Sequence, residues 1–337
     1  MPTGPATVAG PAPQEAPVTD QPDPHPAPDP VRALVVAPDR PGGVDLLEVA
    51  APDAAPDQAI VAVSAVSLNR GEVRRLAGAP AGWRPGWDLA GTVVAAAADG
   101  SGPAVGRRVV GLLREGAWAE QVAVPTRMLA TIPDGLAFTA AATLPVAGLT
   151  AYRTLQQADV IEGRRVLVTG GSGGVGRFAI QLASHWGAEV TAVVGRPERA
   201  DGLRELGAVD VSVGMPAEGA FDIILESVGG ESLTQALELV APQGVVVTFG
   251  NSSGDTTTFD VAHLYPKHGA RLQAFLIFSE LDRLDSATPD LGALAVLMCD
   301  GNLDPQIDLE LPWTEAATAV DELLARRIEG KAVLRVQ

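Results

Sequence analysis

The chain has 337 residues, 47% of them hydrophobic and 19% charged, which is enough for two domains with cores of their own. Its 24 basic and 41 acidic residues give a formal charge of −17, which argues against nucleic acid or an anionic membrane surface as partner. No apolar run is long enough to span a membrane, and the single cysteine, Cys299, excludes an internal disulfide and a cysteine-rich zinc site.

Residues 1–30 hold ten prolines and lack both a basic and an apolar leader region, so a disordered tail is expected rather than a signal peptide. From Arg32 the pattern turns to β, with strands expected at 32–36, 45–49, 58–63, 87–94, 107–112 and 118–124 between prolines and glycines. Residues 139–157 read as a helix interrupted at Pro145 and Gly148. Beyond 165, strands (166–169, 189–194, 209–213, 221–225, 245–249) alternate with helices (175–186, 197–206, 231–240), the pattern of a parallel, doubly wound α/β sheet. A further strand is expected over 271–278, then a helix over 314–326 and a last strand, 332–336, able to rejoin the β region.

The clearest chemistry lies in Val166-Leu-Val-Thr-Gly170-Gly171-Ser172-Gly173-Gly174-Val175-Gly176. An apolar strand stops at glycines and a helix pattern follows, so Gly171, Gly173 and Gly176 satisfy G-x-G-x-x-G in its proper context. The helix N-terminus then offers free N–H groups and partial positive charge to a pyrophosphate. After the next strand an NAD site would place Asp or Glu. Here Gly195 and Arg196 stand there, with Arg199 three residues on, which favours the 2′-phosphate of NADPH, the alternative being that both arginines only solvate a loop and Glu198 takes the acidic role. Gly250 and Asn251 end the fifth strand on the carboxyl edge, where open α/β sheets bind ligands. The four histidines show no metal-ligand spacing, so a metal-free, cytoplasmic protein is expected.

Several further segments occur in a specific order: Val66-Ser-Leu-Asn69-Arg70-Gly71, Pro85-Gly-Trp-Asp88-Leu-Ala-Gly91, Gly116-Ala-Trp-Ala-Glu120, Leu144-Pro-Val-Ala-Gly-Leu-Thr150-Ala-Tyr152 and Gly330-Lys331-Ala-Val-Leu334. With the glycine loop they make the chain resemble the zinc-independent medium-chain dehydrogenase/reductases of the quinone oxidoreductase and enoyl reductase type. The resemblance implies a GroES-like β domain, 31–150 with 283–337, and an inserted Rossmann domain, 151–282, with cofactor and substrate in the cleft between them. It implies a homodimer through strand 272–278. It places Thr150 at the nicotinamide end and Asn69 beside the nicotinamide ribose, with Arg70 and Glu72 as nearby polar candidates.

A tyrosine that enoyl reductases of this type often carry after the Asn69 position is absent, and Tyr152 and Tyr265 are the only tyrosines. Asn69, Arg70 and Tyr152 are therefore the candidates for chemistry, with packing the competing role for Tyr152. Asp88 reads as structural, and Trp83 and Trp87 as walls of an aromatic pocket or as loop anchors. The expected activity is NADPH-dependent hydride transfer to an activated C=C or quinone of a hydrophobic small molecule. A cyclase or isomerase on this fold, and an NADPH-sensing binding protein, stand as alternatives.

Overall fold

The computed structural model describes Met1, Thr3, Gly4 and residues 29–336. Most of the expected tail, 1–30, lies outside the described residues. The first half of the chain contains β1 (Val31–Val36), β2 (Val44–Val49), β3 (Gln58–Leu68), α1 (Arg70–Leu76), β4 (Asp88–Ala95), β5 (Arg108–Leu112), β6 (Gln121–Pro125) and β7 (Leu129–Thr131). Two helices, α2 (Phe138–Ala141) and α3 (Leu149–Leu155), flank a π-turn at Leu144–Gly148 and lead into β8 (Arg165–Thr169). Next come α4 (Gly174–His185), β9 (Glu189–Val194), β10 (Ala208–Val213), β11 (Phe221–Glu226), α5 (Gly230–Leu239), β12 (Val240–Thr248) and β13 (Arg271–Ala274). The remaining elements are α6 (Ile277–Leu284), α7 (Thr288–Cys299), β14 (Ile307–Pro312), α8 (Ala316–Leu324) and β15 (Lys331–Arg335).

Six strands form one parallel sheet in the order β10-β9-β8-β11-β12-β13. The first crossover runs outward from β8 through β9 to β10 and the chain then returns to β11. The order therefore reverses between β8 and β11, the switch point at which such sheets bind ligands. The other large sheet runs β14-β15-β3-β4-β5-β7, with β6 also on β3. In it β15 pairs antiparallel with β3, Ala332 opposite Leu68, so the C-terminal segment completes the sheet that the N-terminal half began. The fold is thus a GroES-like β domain joined to a Rossmann-type parallel sheet.

The core explains why the two sheets keep one relative position. One apolar cluster contains Ala90, Val110 and Val333 of the β sheet, Leu144 and Leu149 of the connecting segment, and Val166, Ile223 and Val245 of the parallel sheet. A second fills the β domain around Trp118 and Trp313, both at most 1% exposed. The connecting segment is a helix broken as expected, because Pro145 cannot donate a backbone hydrogen bond.

Two elements differ from the sequence reading. The helix expected over 197–206 is only a single 3-10 turn, Pro197–Arg199, because Gly202 (φ +74°) and Gly207 (φ +105°) take left-handed conformations that stop a helix. The strand expected over 271–278 ends at Ala274. Helix α6 starts at Ile277 and buries Ile277 and Leu281, four residues apart, a spacing that suits a helix as well as the short apolar run suits a strand. The edge position of β13 in the sheet does hold.

Candidate active site

The strand–turn–helix around the glycine loop has the geometry its sequence implies. Gly170 takes φ +62°, so the left-handed turn falls there rather than at Gly171. A Cβ on Gly176 would lie 2.4 Å from Gly170 O and 2.8 Å from Gly171 Cα, so this glycine lets α4 pack onto the loop. At Gly173 the nearest atom would be 3.4 Å away, leaving backbone open to a close-lying ligand. Gly173 is also the N-cap of α4 and offers no side chain, so the first-turn N–H groups, through Gly174 and Val175, stay free of a side-chain cap. Ser172 is nearly buried, and its carbonyl accepts from Arg177 Nε at 3.3 Å. These features fit a pyrophosphate.

The facing loop, at the end of β11, is fixed by a buried acid that the sequence did not single out. Glu226 Oε1 accepts from Val228 N (2.8 Å), Gly229 N (3.1 Å) and Ser232 Oγ (3.0 Å). Thr169 Oγ1, at the end of β8, accepts from Ser227 N at 2.9 Å and so ties this loop to the glycine loop. Gly250 is required because a Cβ would meet Ser227 O at 2.8 Å. Asn251 caps its own turn, with Oδ1 accepting from Gly254 N at 3.2 Å.

The structure separates the two arginines after β9. Arg196 is exposed, and its Nη2 donates to Arg326 O at 3.5 Å. Arg199 is committed to the β domain: Nη1 donates to Ile328 O at 2.7 Å and Nε lies 3.6 Å from Glu329 Oε1. Gly195 has open space where a Cβ would stand.

Asn69 follows the last residue of β3 and caps α1. It belongs to a buried polar tetrad with Glu72, Asp88 and Lys331, whose exposures are 9%, 0%, 0% and 2% in that order. Asn69 Nδ2 donates to Asp88 Oδ2 at 2.8 Å, and Asn69 N donates to Glu72 Oε1 at 2.7 Å, the return half of a capping box. Lys331 Nζ donates to Asn69 Oδ1 (2.7 Å) and Leu68 O (3.1 Å) and lies 3.5 Å from Asp88 Oδ2. The other Asp88 oxygen accepts from Val146 N in the π-turn at 2.9 Å.

Burial, reinforced by the neighbouring Asp88 charge, pushes the Glu72 carboxyl up to about 8. Burial also raises Asp88 and lowers Lys331, each opposed by the other's charge. A neutral Glu72 leaves one carboxylate for one ammonium, and its Oε2 is the tetrad oxygen without a partner.

Lys331 also touches the cofactor side. A Cβ on Gly174 would lie 2.7 Å from Lys331 Cδ, and Gly173 bridges to Gly330. The glycine loop and Asn69 are therefore held together through one side chain. Sequence reading missed this role, yet a signal existed: Lys331 is one of only two lysines in a chain whose other cationic side chains are arginines. A compact three-donor ammonium suits a small buried cage where a guanidinium does not.

The remaining candidates sort by place. Thr150 is 6% exposed in the first turn of α3, and its hydroxyl has no hydrogen-bond partner among the described residues. Tyr152, two residues on, points elsewhere: its ring packs edge-on against Trp186 at 5.4 Å. Trp186 caps the far end of the 12-residue α4, about 18 Å from the glycine loop. That placement gives the ring a packing role, the competing reading of Tyr152. Tyr265 is 78% exposed in a surface turn. Arg70 sits at the cleft with Nη1 3.4 Å from Leu323 O and Nε buried without a partner. Trp87 packs against Phe278 at 5.2 Å and backs Gly71 in the first turn of α1. Trp83 is a loop anchor, bonded from Nε1 to Glu115 at 2.8 Å.

A GroES-like domain and a Rossmann sheet meeting over a glycine loop define the two-domain dehydrogenase/reductase class. The chain belongs to the medium-chain dehydrogenase/reductase superfamily. The zinc-binding dehydrogenase family model matches residues 174–290, and the alcohol dehydrogenase GroES-like domain model matches 55–134. The chain is 35% identical over 322 residues to a 2-methylene-furan-3-one reductase of Solanum lycopersicum, covering 87% of this chain and 76% of that one. It is 31% identical over 231 residues to a quinone oxidoreductase of Pseudomonas aeruginosa, covering 65% and 71%. It matches the mycoketide-CoA synthase of Mycobacterium tuberculosis at 33% identity over 299 residues, 83% of this chain but only 7% of that longer protein. Among solved structures, an alcohol dehydrogenase superfamily protein from Novosphingobium aromaticivorans superposes with a TM-score of 0.80 at 29% identity, covering 91% of this chain and 100% of that one. A mycobacterial quinone oxidoreductase gives a TM-score of 0.82 at 23% identity, covering 91% and 100%.

The first family description names zinc. Among the described residues no three His, Cys, Asp or Glu side chains group as ligands. The two acids at the cleft, Glu72 and Asp88, are already engaged by Asn69, Val146 and Lys331. No helix among the described residues is long and apolar enough to cross a membrane.

Proposed function

We propose that the protein is an NADPH-dependent reductase that transfers hydride to an activated C=C or quinone of a hydrophobic small molecule without a metal. The observation that carries this reading is the join between Lys331, Asn69 and the glycine loop. It would hold a cofactor groove and an acceptor site at a fixed separation, and positioning is most of what hydride transfer asks of a protein. Bound in the groove, the dinucleotide would supply the hydride. Gly171 to Gly176 would hold its pyrophosphate, while Gly250 and Asn251 would border its ribose. Arg196, which has no acidic partner among the described residues, would take the 2′-phosphate, and Arg199 would only brace that loop from behind.

On the chain's own side, Thr150 and Asn69 would orient the nicotinamide end. The Trp87–Phe278 pair, bridging the two domains, would wall the acceptor site and exclude water. No tyrosine reaches this region, so the proton that completes reduction of a C=C would come from water rather than from a side chain. The names of the furanone reductase and quinone oxidoreductase relatives support acceptors of this kind. The reading includes a homodimer through the edge strand β13, testable by light scattering.

The test is NADPH oxidation with p-benzoquinone and with exocyclic enones as acceptors. Consumption with either supports the reading. Product formed without loss of NADPH would replace it with a cyclase or isomerase, and tight binding without turnover on any acceptor would replace it with a binding protein. Arg196→Ala should weaken NADPH far more than NADH, and equal weakening would sink the 2′-phosphate assignment.

A further inference from the structure

The turn between α8 and β15 lies against the glycine loop, where Gly330 bridges to Gly173. Its first residue in an unusual conformation is Arg326, at φ +57°, one of four non-glycine residues with positive φ among those described. Arg326 Nη2 donates to Ser252 O at 2.7 Å, just beyond the carboxyl end of β12. Its own carbonyl accepts from Arg196 Nη2 at 3.5 Å, beyond the carboxyl end of β9. In the sheet, β8 and β11 lie between β9 and β12. At about 4.8 Å per strand, the residue therefore straddles roughly 14 Å of the switch point. The Gly173–Gly330 bridge pins the same turn to the N-terminus of α4. The turn that carries Arg326 thus reaches, through Gly330, the helix end offered to a pyrophosphate.

Some of the arginines around it are matched: Arg177 and Arg199 pair with Glu329 at 3.4 and 3.6 Å, and Arg327 pairs with Glu322. Arg326, Arg196 and Arg70 form no ion pair among the described residues. Arg70 is held below its ordinary value by burial and then by the charges of Arg326 and Arg74, and its Nε is buried without a partner. Arg196 and Arg70 each lie near Arg326, one through a bond to its carbonyl and the other through its charge, and three cations without an ion pair there, in a chain of net charge −17, make a place that an anion would relieve.

We propose that Arg326 is a pyrophosphate-binding residue supplied by the β domain, which gives up its resting bond to Ser252 O and takes the dinucleotide phosphates in its place. This rests on the dinucleotide reading above. A neutral carbonyl is thereby exchanged for a charged acceptor, which makes the stronger, charge-assisted bond. Arg196 stays with the 2′-phosphate, so the two arginines have separable signatures.

The experiment titrates NADPH and NADH separately into the full chain, following nicotinamide fluorescence. The variants are Arg326→Asn, which suits a left-handed φ without the charge, and Arg326→Lys, which keeps the charge. For Arg326→Asn the affinities for both dinucleotides should fall by a similar factor, about tenfold or more, with part of the loss recovered by Arg326→Lys. The thermal midpoint of the ligand-free Asn variant should match the wild type, which separates lost binding from lost fold. Unchanged affinities for Arg326→Asn would overturn the proposal, as would a loss confined to NADPH, which would move Arg326 to the 2′-phosphate. If the wild-type chain bound neither dinucleotide, the functional reading would fall first and this inference with it.

Discussion

Replacing Glu72 by glutamine tests the charge state of the buried tetrad. Glutamine keeps an oxygen to accept from Asn69 N and puts an amide where Oε2 has no partner. The carboxyl stands at about 8 in the folded chain against an ordinary value of 4.5, so the folded state holds an extra proton between those limits. A raised folded value means that the stability Glu72 contributes is complete below the unfolded value and is lost as pH rises through the folded one. The loss runs at about 1.4 kcal/mol per pH unit. Glutamine has no such loss. The stability of Glu72→Gln minus that of wild type should therefore grow by about 2 kcal/mol between about pH 6 and about pH 8, then level off. Urea unfolding read from tryptophan fluorescence measures it, since Trp118 and Trp313 are buried in this domain. A difference that does not change with pH would refute the reasoning. So would a variant that loses stability relative to wild type as pH rises, because Glu72 would then be ionised and paired with Lys331.

Lys331→Met should cost about 3–5 kcal/mol, because it leaves Asp88 buried without its cation; a lowered thermal midpoint reads it. In Gly176→Ala the new Cβ would lie 2.4 Å from a backbone oxygen, so the loop must move. Dinucleotide affinity should drop by about tenfold or more in calorimetry, while β-domain tryptophan fluorescence stays as in wild type. Tyr152→Phe keeps the ring against Trp186 and should leave kcat within about twofold, whereas a general acid would be worth about 10²-fold or more.

What was legible in the sequence was local. The glycine loop announced itself because strand, turn and helix N-terminus fall within eleven consecutive residues, 166–176. The alternation beyond it gave the parallel sheet for the same reason. The failures have physical causes of the same kind. Gly202 and Gly207 take left-handed conformations, which no helical periodicity registers. The apolar run after Ala274 suits a strand or a helix equally, and only its packing decides. The tetrad was visible as separate motifs, but Lys331 reaches Asn69 across 262 residues and Asp88 across 243, so no window could unite them. Arg196 and Arg199 looked equivalent along the chain. Glu329, on the other domain, is what sets them apart.

The placement of β15 between β14 and β3 also sets an order of assembly. All six strands of the parallel sheet lie in one unbroken stretch, from Arg165 to Ala274, and can pair as soon as that stretch has left the ribosome. The β domain cannot close on the same schedule, because Lys331 must come back to Leu68 across 263 residues. Until then Glu72 and Asp88 face water and carry their ordinary charges. Closure is then the step that dehydrates them, gives Glu72 its extra proton and locks Asn69 in place. The cofactor half can be ready early, whereas the acceptor half becomes competent only with the last strand, which makes that strand's arrival the commitment step for the cleft.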